Sequence, residues 1–153
     1  MMHIRQIIRE KKAYLPLLLL ADEQEDMIDL YLDRGDMYLL EDAGRALAVI
    51  VVTGEGDGVL EIKNLAVDPA VQKHGYGRLL VKYVAQRYQA EFQTLLVGTG
   101  DSPLTVPFYE RCGFVRSHVV KGFFTDHYDH PIVEDGVLLE DMIYLKMPIC
   151  EQV

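Results

Sequence analysis

The stretch "NLAVDPAVQKHGYGRLLV", residues 64–81, leaves a strand-like run and enters a helix on two glycines. Ahead of it, "VLEIKNLAV" (59–67) reads as a strand. Behind it, Leu79, Leu80, Tyr83, Val84 and Tyr88 recur at helical spacing, which predicts a helix from Gly75 to about Ala90. Glycine costs a helix about 1 kcal/mol relative to alanine, so Gly75 and Gly77 must serve something other than helix formation. A strand that feeds a glycine turn into a helix leaves backbone N–H groups bare at a positive dipole end. Without Cβ atoms in the way, a phosphate can reach the backbone itself. Lys73, His74 and Arg78 add positive charge in a chain whose formal net charge is −9. The stretch therefore predicts an anion site. It is not a P-loop, because no Gly-Lys-Ser/Thr follows, and it lacks the third glycine of the dinucleotide fingerprint.

Around this centre the chain alternates strands and helices. "HIRQII" (3–8) predicts a first strand, and residues 11–34 predict helix in two pieces, the second capped by Asp22 with Glu25 three residues on. "MYLLED" (37–42), "RALAVIVVTG" (45–54) and "VLEIKNLAV" are separated by "EDAG" and "GEGDG", which predicts an antiparallel meander. "TLLVGTG" (94–100) predicts a short strand buried on both faces. A short helix over about 104–112, a strand in "FVRSHVVKGFF" and a last strand in "DMIYLKM" complete the order. One mixed α/β sheet flanked by helices follows, with "TDHYDHPIVEDGVLLED" (125–141) as the one long irregular stretch.

With 153 residues and 50% hydrophobic content, one domain over 1–153 with a real core is expected. Fifteen scattered Lys and Arg against 24 Asp and Glu argue against nucleic acid as the main partner; the acidity suits a cationic partner such as an amine, or serves solubility alone. The two cysteines, Cys112 and Cys150, read as reduced thiols rather than a disulfide framework. The charged N-terminus lacks a signal peptide's apolar core, and "YLPLLLLA" is too short to span a bilayer. A soluble cytoplasmic protein is expected.

In this context "NLAVDPAVQKHGYGRLLV" resembles the fourth strand, pyrophosphate loop and following helix of the GNAT superfamily of acetyl-CoA-dependent N-acetyltransferases. "PFYERCGF" (107–114) resembles that family's second signature, Tyr-x-x-x-Gly-Phe. The element order is similar over nearly the whole chain, and the tail is similar to that of small bacterial members without an assigned acceptor. The resemblance implies a mostly antiparallel sheet of about seven strands, splayed between the fourth and fifth so that a pantetheine arm lies in the gap. It implies backbone bonds from Leu65, Ala66 and Val67 to that arm. It places the pyrophosphate on the N–H groups of Lys73, His74, Gly75, Tyr76, Gly77 and Arg78, with Gln72 heading the loop.

Acetyl transfer to an amine needs a neutral nitrogen, a stabilised oxyanion and a proton for the departing thiolate. The resemblance assigns that proton to Tyr109. For the base, Glu61 lies eleven residues before Gln72, the spacing of the glutamate in the histone-acetylating branch. Strand periodicity sets Glu61 on one face with Lys63 and Leu65. Two readings stand side by side: Glu61 as base, or Glu61 as a surface partner of Lys63 with an ordered water chain as base. Many relatives carry an Asn just after the fifth strand, where this chain has "GTGDSPL"; Asp101 would stand in for it without being able to donate a hydrogen bond.

Asp126, His127 and His130 in the 125–141 stretch are expected to border the acceptor site and attract a protonated amine, with no metal in it. The implied activity is acetyl transfer from acetyl-CoA to an amine in a ternary complex, the acceptor being a small molecule or a peptidyl amine. The competing reading is a non-catalytic sensor that binds CoA or acyl-CoA. The fold also admits a homodimer, on which the sequence is silent.

Overall fold

The computed structural model describes residues 1–150. From the N-terminus, β1 (Met2–Ile7) leads through a 3-10 turn at Lys11–Tyr14 into α1 (Leu15–Leu18) and α2 (Glu25–Asp29). Three strands follow, β2 (Asp36–Asp42), β3 (Arg45–Gly56) and β4 (Val59–Val67), then α3 (Tyr76–Arg87) and β5 (Thr94–Gly100). The C-terminal part holds α4 (Val106–Cys112), β6 (Val115–Val120), α5 (Phe123–His127), the two-residue strands β7 (Val133–Glu134) and β8 (Val137–Leu138), and β9 (Met142–Pro148). Seven strands form one sheet in the order β1-β2-β3-β4-β5-β9-β6, all antiparallel except β4 with β5. This is the mixed α/β sheet the sequence predicts. No helix among the described residues is long and apolar enough to cross a membrane.

Both faces of the sheet are covered. On one, Leu80, Val81 and Val84 of α3 pack on Tyr38, Ile50, Val52, Leu60 and Ile62. On the other, Leu18, Ile28 and Leu32 pack on Met37, Leu39, Val49 and Val51. Alternate residues of β2 and β3 serve opposite faces, as strand geometry requires.

Strand β4 breaks that alternation. Val51 pairs with Asn64 but Val52 pairs with Ile62, so Lys63 is an extra residue, a β-bulge. Before it Leu60 and Ile62 face α3; after it Leu65 does, while Asn64 and Ala66 face α1. Glu61 and Leu65 therefore lie on opposite faces, not on one. The bulge also bends the strand. Parallel pairing of β4 with β5 runs from Val59↔Thr94 to Ile62↔Val97 and stops there, one residue short of the bulge. Beyond it the two strands splay.

Other departures have local causes. Asp22 does not cap α2; Gln24 holds that position without a side-chain bond, and the Asp22 carboxylate is engaged by two tyrosines. The strand expected over 114–124 ends at Val120, because Gly122 (φ 68°) turns the chain into α5. Leu96 of β5 is only half-buried, so that strand is not covered throughout. The stretch expected to be irregular contains α5 and a β7–β8 hairpin, packed through buried Phe124, Ile132 and Leu139.

Helix α3 gives a clean test of this packing. Leu80→Ala should cost about 2–5 kcal/mol in urea unfolding, since Leu80 is fully buried. Leu79→Ala on the exposed side should change stability by no more than about 0.5 kcal/mol.

Candidate active site

The splay opens a passage through the sheet. A cleft of about 410 Å³ runs from Asp22 and Glu23 in the α1–α2 connection, between Lys63–Leu65 and Val97–Gly100, to Tyr109. A second cleft of about 550 Å³ continues along Val67, the glycine loop and α4. Leu65, Gln72, Leu104, Thr105, Tyr109 and Glu134 line both.

At the α3 end the loop is built for bare amides. Gln72 donates from Nε2 to the Val67 carbonyl at 3.3 Å, tying the loop to the end of β4. Lys73 (φ 68°) and Gly75 (φ 80°) are both left-handed, and Gly75 is the N-cap of α3. The first backbone bond of the helix runs from the Leu79 N–H to the Gly75 carbonyl at 3.0 Å, so Tyr76, Gly77 and Arg78 have no acceptor in it. A Cβ on Gly77 would sit 3.2 Å from Phe108 Cζ; its absence lets α3 and α4 meet. Gln72, Lys73, Gly75, Tyr76, Gly77 and Arg78 line this cleft. His74 does not, and stacks on Tyr76 at 5.5 Å.

Tyr109 sits where the two clefts join. Its ring packs edge-on to Phe108 and Phe114, and its hydroxyl makes no hydrogen bond among the described residues. Burial pushes the phenol well above its ordinary range, with Cys112 and Glu134 adding to the shift, so it stays protonated at neutral pH. Glu61 is also buried, and burial raises its pKa while Lys63 opposes the rise. Its Oε2 accepts from Lys63 Nζ at 2.9 Å. Lys63 lines the cleft; Glu61 does not.

The opposite end is stitched by a polar cluster. Asp22 accepts from Tyr31 (3.1 Å) and from Tyr128 (2.7 Å), joining the α1–α2 connection to the segment after α5. Asn64 donates from Nδ2 to the Leu18 carbonyl (3.0 Å) and to the Tyr31 hydroxyl (3.1 Å), and its buried Oδ1 has no partner among the described residues.

Several expected residues lie elsewhere. Ala66 turns its side chain into the α1-side core. Asp101 is exposed, 3.9 Å from Arg116, and lines neither cleft. Asp126 and His127 also stay outside, His127 stacking on Phe123 at 4.3 Å. His130 reaches only the cleft's rim, 3.7 Å from Glu23. The 125–141 stretch does border the cleft, through Tyr128, Ile132, Glu134 and Leu139. Asn64 is a residue the sequence reading missed, and Glu134, within the stretch expected to border the acceptor site, was not singled out there. The signal for Glu134 was the adjacent Asp135-Gly136, a hairpin turn pair; Asn64 had none short of the bulge. Among the described residues, no group of three or more His, Cys, Asp or Glu is placed to hold a metal.

Comparison with known proteins agrees with this geometry. The family model for the acetyltransferase (GNAT) domain matches residues 33–116. The uncharacterized N-acetyltransferase YvbK of Bacillus subtilis (strain 168) is 34% identical over 135 residues, 87% of each chain. A GNAT acetyltransferase of Elizabethkingia anophelis, solved with acetyl-CoA bound, superposes with a TM-score of 0.90 at 33% identity, covering 96% of this chain and 97% of that one. The IAA acetyltransferase of Bacillus cereus superposes at 0.87 with 32% identity, covering 97% and 99%. The chain belongs to the GNAT family and is an acetyltransferase.

The polar cluster carries a pH-dependent prediction. Burial holds the Asp22 carboxyl above its ordinary value, so its contribution to stability is full below the ordinary aspartate range. That contribution is lost as pH rises through the higher folded value. The Tyr128 bond favours the charged form. Tyr128→Phe should therefore cost about 1–3 kcal/mol in urea unfolding near neutral pH, and clearly less in acid, where Asp22 is protonated.

Proposed function

We propose that this GNAT acetyltransferase moves the acetyl group of acetyl-CoA onto an amine by direct attack in a ternary complex, within one catalytic domain spanning residues 1–153. The observation that carries this reading is the end of β4–β5 pairing at Ile62↔Val97, which leaves a passage with bare helix amides at one end and Tyr109 at its middle. The acetyl-CoA bound to the E. anophelis relative supports the donor.

In this reading the unpaired edge of Leu65 to Val67 takes the pantetheine arm as an added strand, with Ala66 contributing only its backbone. The N–H groups from Lys73 through Arg78 hold the pyrophosphate, helped by the helix dipole. The amine enters from the Asp22 side of the sheet, and donor and acceptor meet beside Tyr109. Attack forms the C–N bond, and collapse breaks the C–S bond. The thiolate leaves with the Tyr109 proton, which burial has kept on the phenol. Glu61, held by Lys63 away from the cleft lining, acts on the amine only through that lysine or through water. A buried phenol where the two clefts join suits turnover rather than mere sensing of CoA.

Replacing the phenol tests the assignment. Tyr109→Phe should lower kcat by about 100-fold or more, read as thiol release from acetyl-CoA, while the dissociation constant for acetyl-CoA by calorimetry stays unchanged. Full turnover in that variant would remove Tyr109 from the acid role.

A further inference from the structure

Glu134 is a half-buried carboxylate that lines both clefts and has no hydrogen bond or ion pair among the described residues. The other carboxylates at that end are engaged: Asp22 by two phenols, Glu23 by His130. A desolvated carboxylate left alone is costly, and Glu23 and Asp135 beside it raise the cost. The hairpin holds it there regardless. Asp135 (φ 49°) and Gly136 (φ 76°) form a two-residue turn with both positions left-handed. The Leu139 N–H bonds the Ile132 carbonyl at 2.8 Å, anchoring the base of that hairpin.

A second, independent group in the same cleft lacks a partner. Asn64 is 3% exposed, and its Oδ1 accepts from nothing among the described residues. Its orientation is fixed, because the Leu18 carbonyl can only accept and must face Nδ2. The cleft thus presents two acceptors without donors. Around them Leu20, Phe124, Ile132, Leu139 and Met142 make an apolar wall.

We propose that Glu134 holds the acceptor's ammonium at the junction with the donor cleft and takes its proton, and that the acceptor is a small primary amine on an apolar body. The inference rests on the acetyl-transfer reading above. The ammonium gives one proton to the Glu134 carboxylate, and the freed nitrogen pair forms the C–N bond. The C–S electron pair goes to sulfur, which takes the Tyr109 proton. The second nitrogen proton returns to the Tyr109 oxygen as the amide forms, and Glu134 releases its proton to water. The charged groups acting on Glu134 are Glu23 from the α1–α2 connection and Asp135 on its own hairpin; Asp22 and Lys63 share the first cleft with it and Lys73, Arg78 and Arg111 the donor cleft, and Tyr109 is the titratable group that feels its charge. Glu61 is excluded from this place by its bond to Lys63.

The test uses the full chain, acetyl-CoA, and benzylamine, tyramine and hexylamine as probes, followed by thiol release across pH. The wild type should turn over at least one probe. Glu134→Gln should lower kcat/KM for that amine by about 100-fold near pH 7. The loss should shrink as pH rises toward about 10, where a growing share of the free amine is neutral, with acetyl-CoA still bound and the melting temperature not lowered. An unchanged kcat/KM near pH 7, or an equal loss at every pH, would overturn the proposal. So would a wild type that binds acetyl-CoA yet turns over none of the three amines. A wild type that does not bind acetyl-CoA at all would instead sink the underlying reading.

Discussion

One extra residue in one strand organises this molecule. Lys63 interrupts the register of β4 against β3, and β4 parts from β5 immediately beside it. A sheet that stayed paired would present a continuous wall between α3 and the α1–α2 connection. Because pairing stops at Ile62↔Val97, the sheet has a door in it, and the residues on either side belong to one site. The bulge also hands Asn64 to the α1 face and Leu65 to the α3 face, so each side of the door has its own chemistry.

That chemistry is polarised. On the α3 side, unpartnered amides at a helix start sit with Lys73, Arg78 and Arg111 along a cleft suited to phosphates. On the α1 side, Asp22, Glu23 and Glu134 share a recess with an apolar wall of Leu20, Phe124, Ile132, Leu139 and Met142. The proposed division sets these three cations along the cleft read as the donor's and these carboxylates around the one read as the acceptor's. Between the two lies a phenol that burial keeps protonated, with no hydrogen bond among the described residues to compete for its proton. The E. anophelis relative was solved with acetyl-CoA bound.

Much of this was legible in the residues. The run of apolar strands and turn pairs gives the meander, and "HGYG" marks the start of α3 because nothing else explains glycine there. Tyr109 is legible from its place before Gly113-Phe114. The bulge was not, since "LEIKNLAV" alternates plausibly without one and only the partner strand reveals the extra residue. The role of Asp22 was hidden for a different reason. Locally it has the pattern of a helix cap, but Tyr128, 106 residues away, offers a desolvated hydrogen bond that a cap position does not. The 125–141 stretch misled through its charge. Asp126 and His127 draw the eye, yet buried Phe124, Ile132 and Leu139 decide which side chains face inward, and those deliver Glu134.

The door between β4 and β5 is most directly tested by backbone amide hydrogen exchange measured residue by residue with and without CoA. A donor arm lying along the open edge of β4, with its pyrophosphate on the start of α3, predicts slowed exchange within Leu65–Val67 and at Tyr76, Gly77 and Arg78. Protection confined to other parts of the chain, with these amides unchanged at saturating CoA, would contradict it.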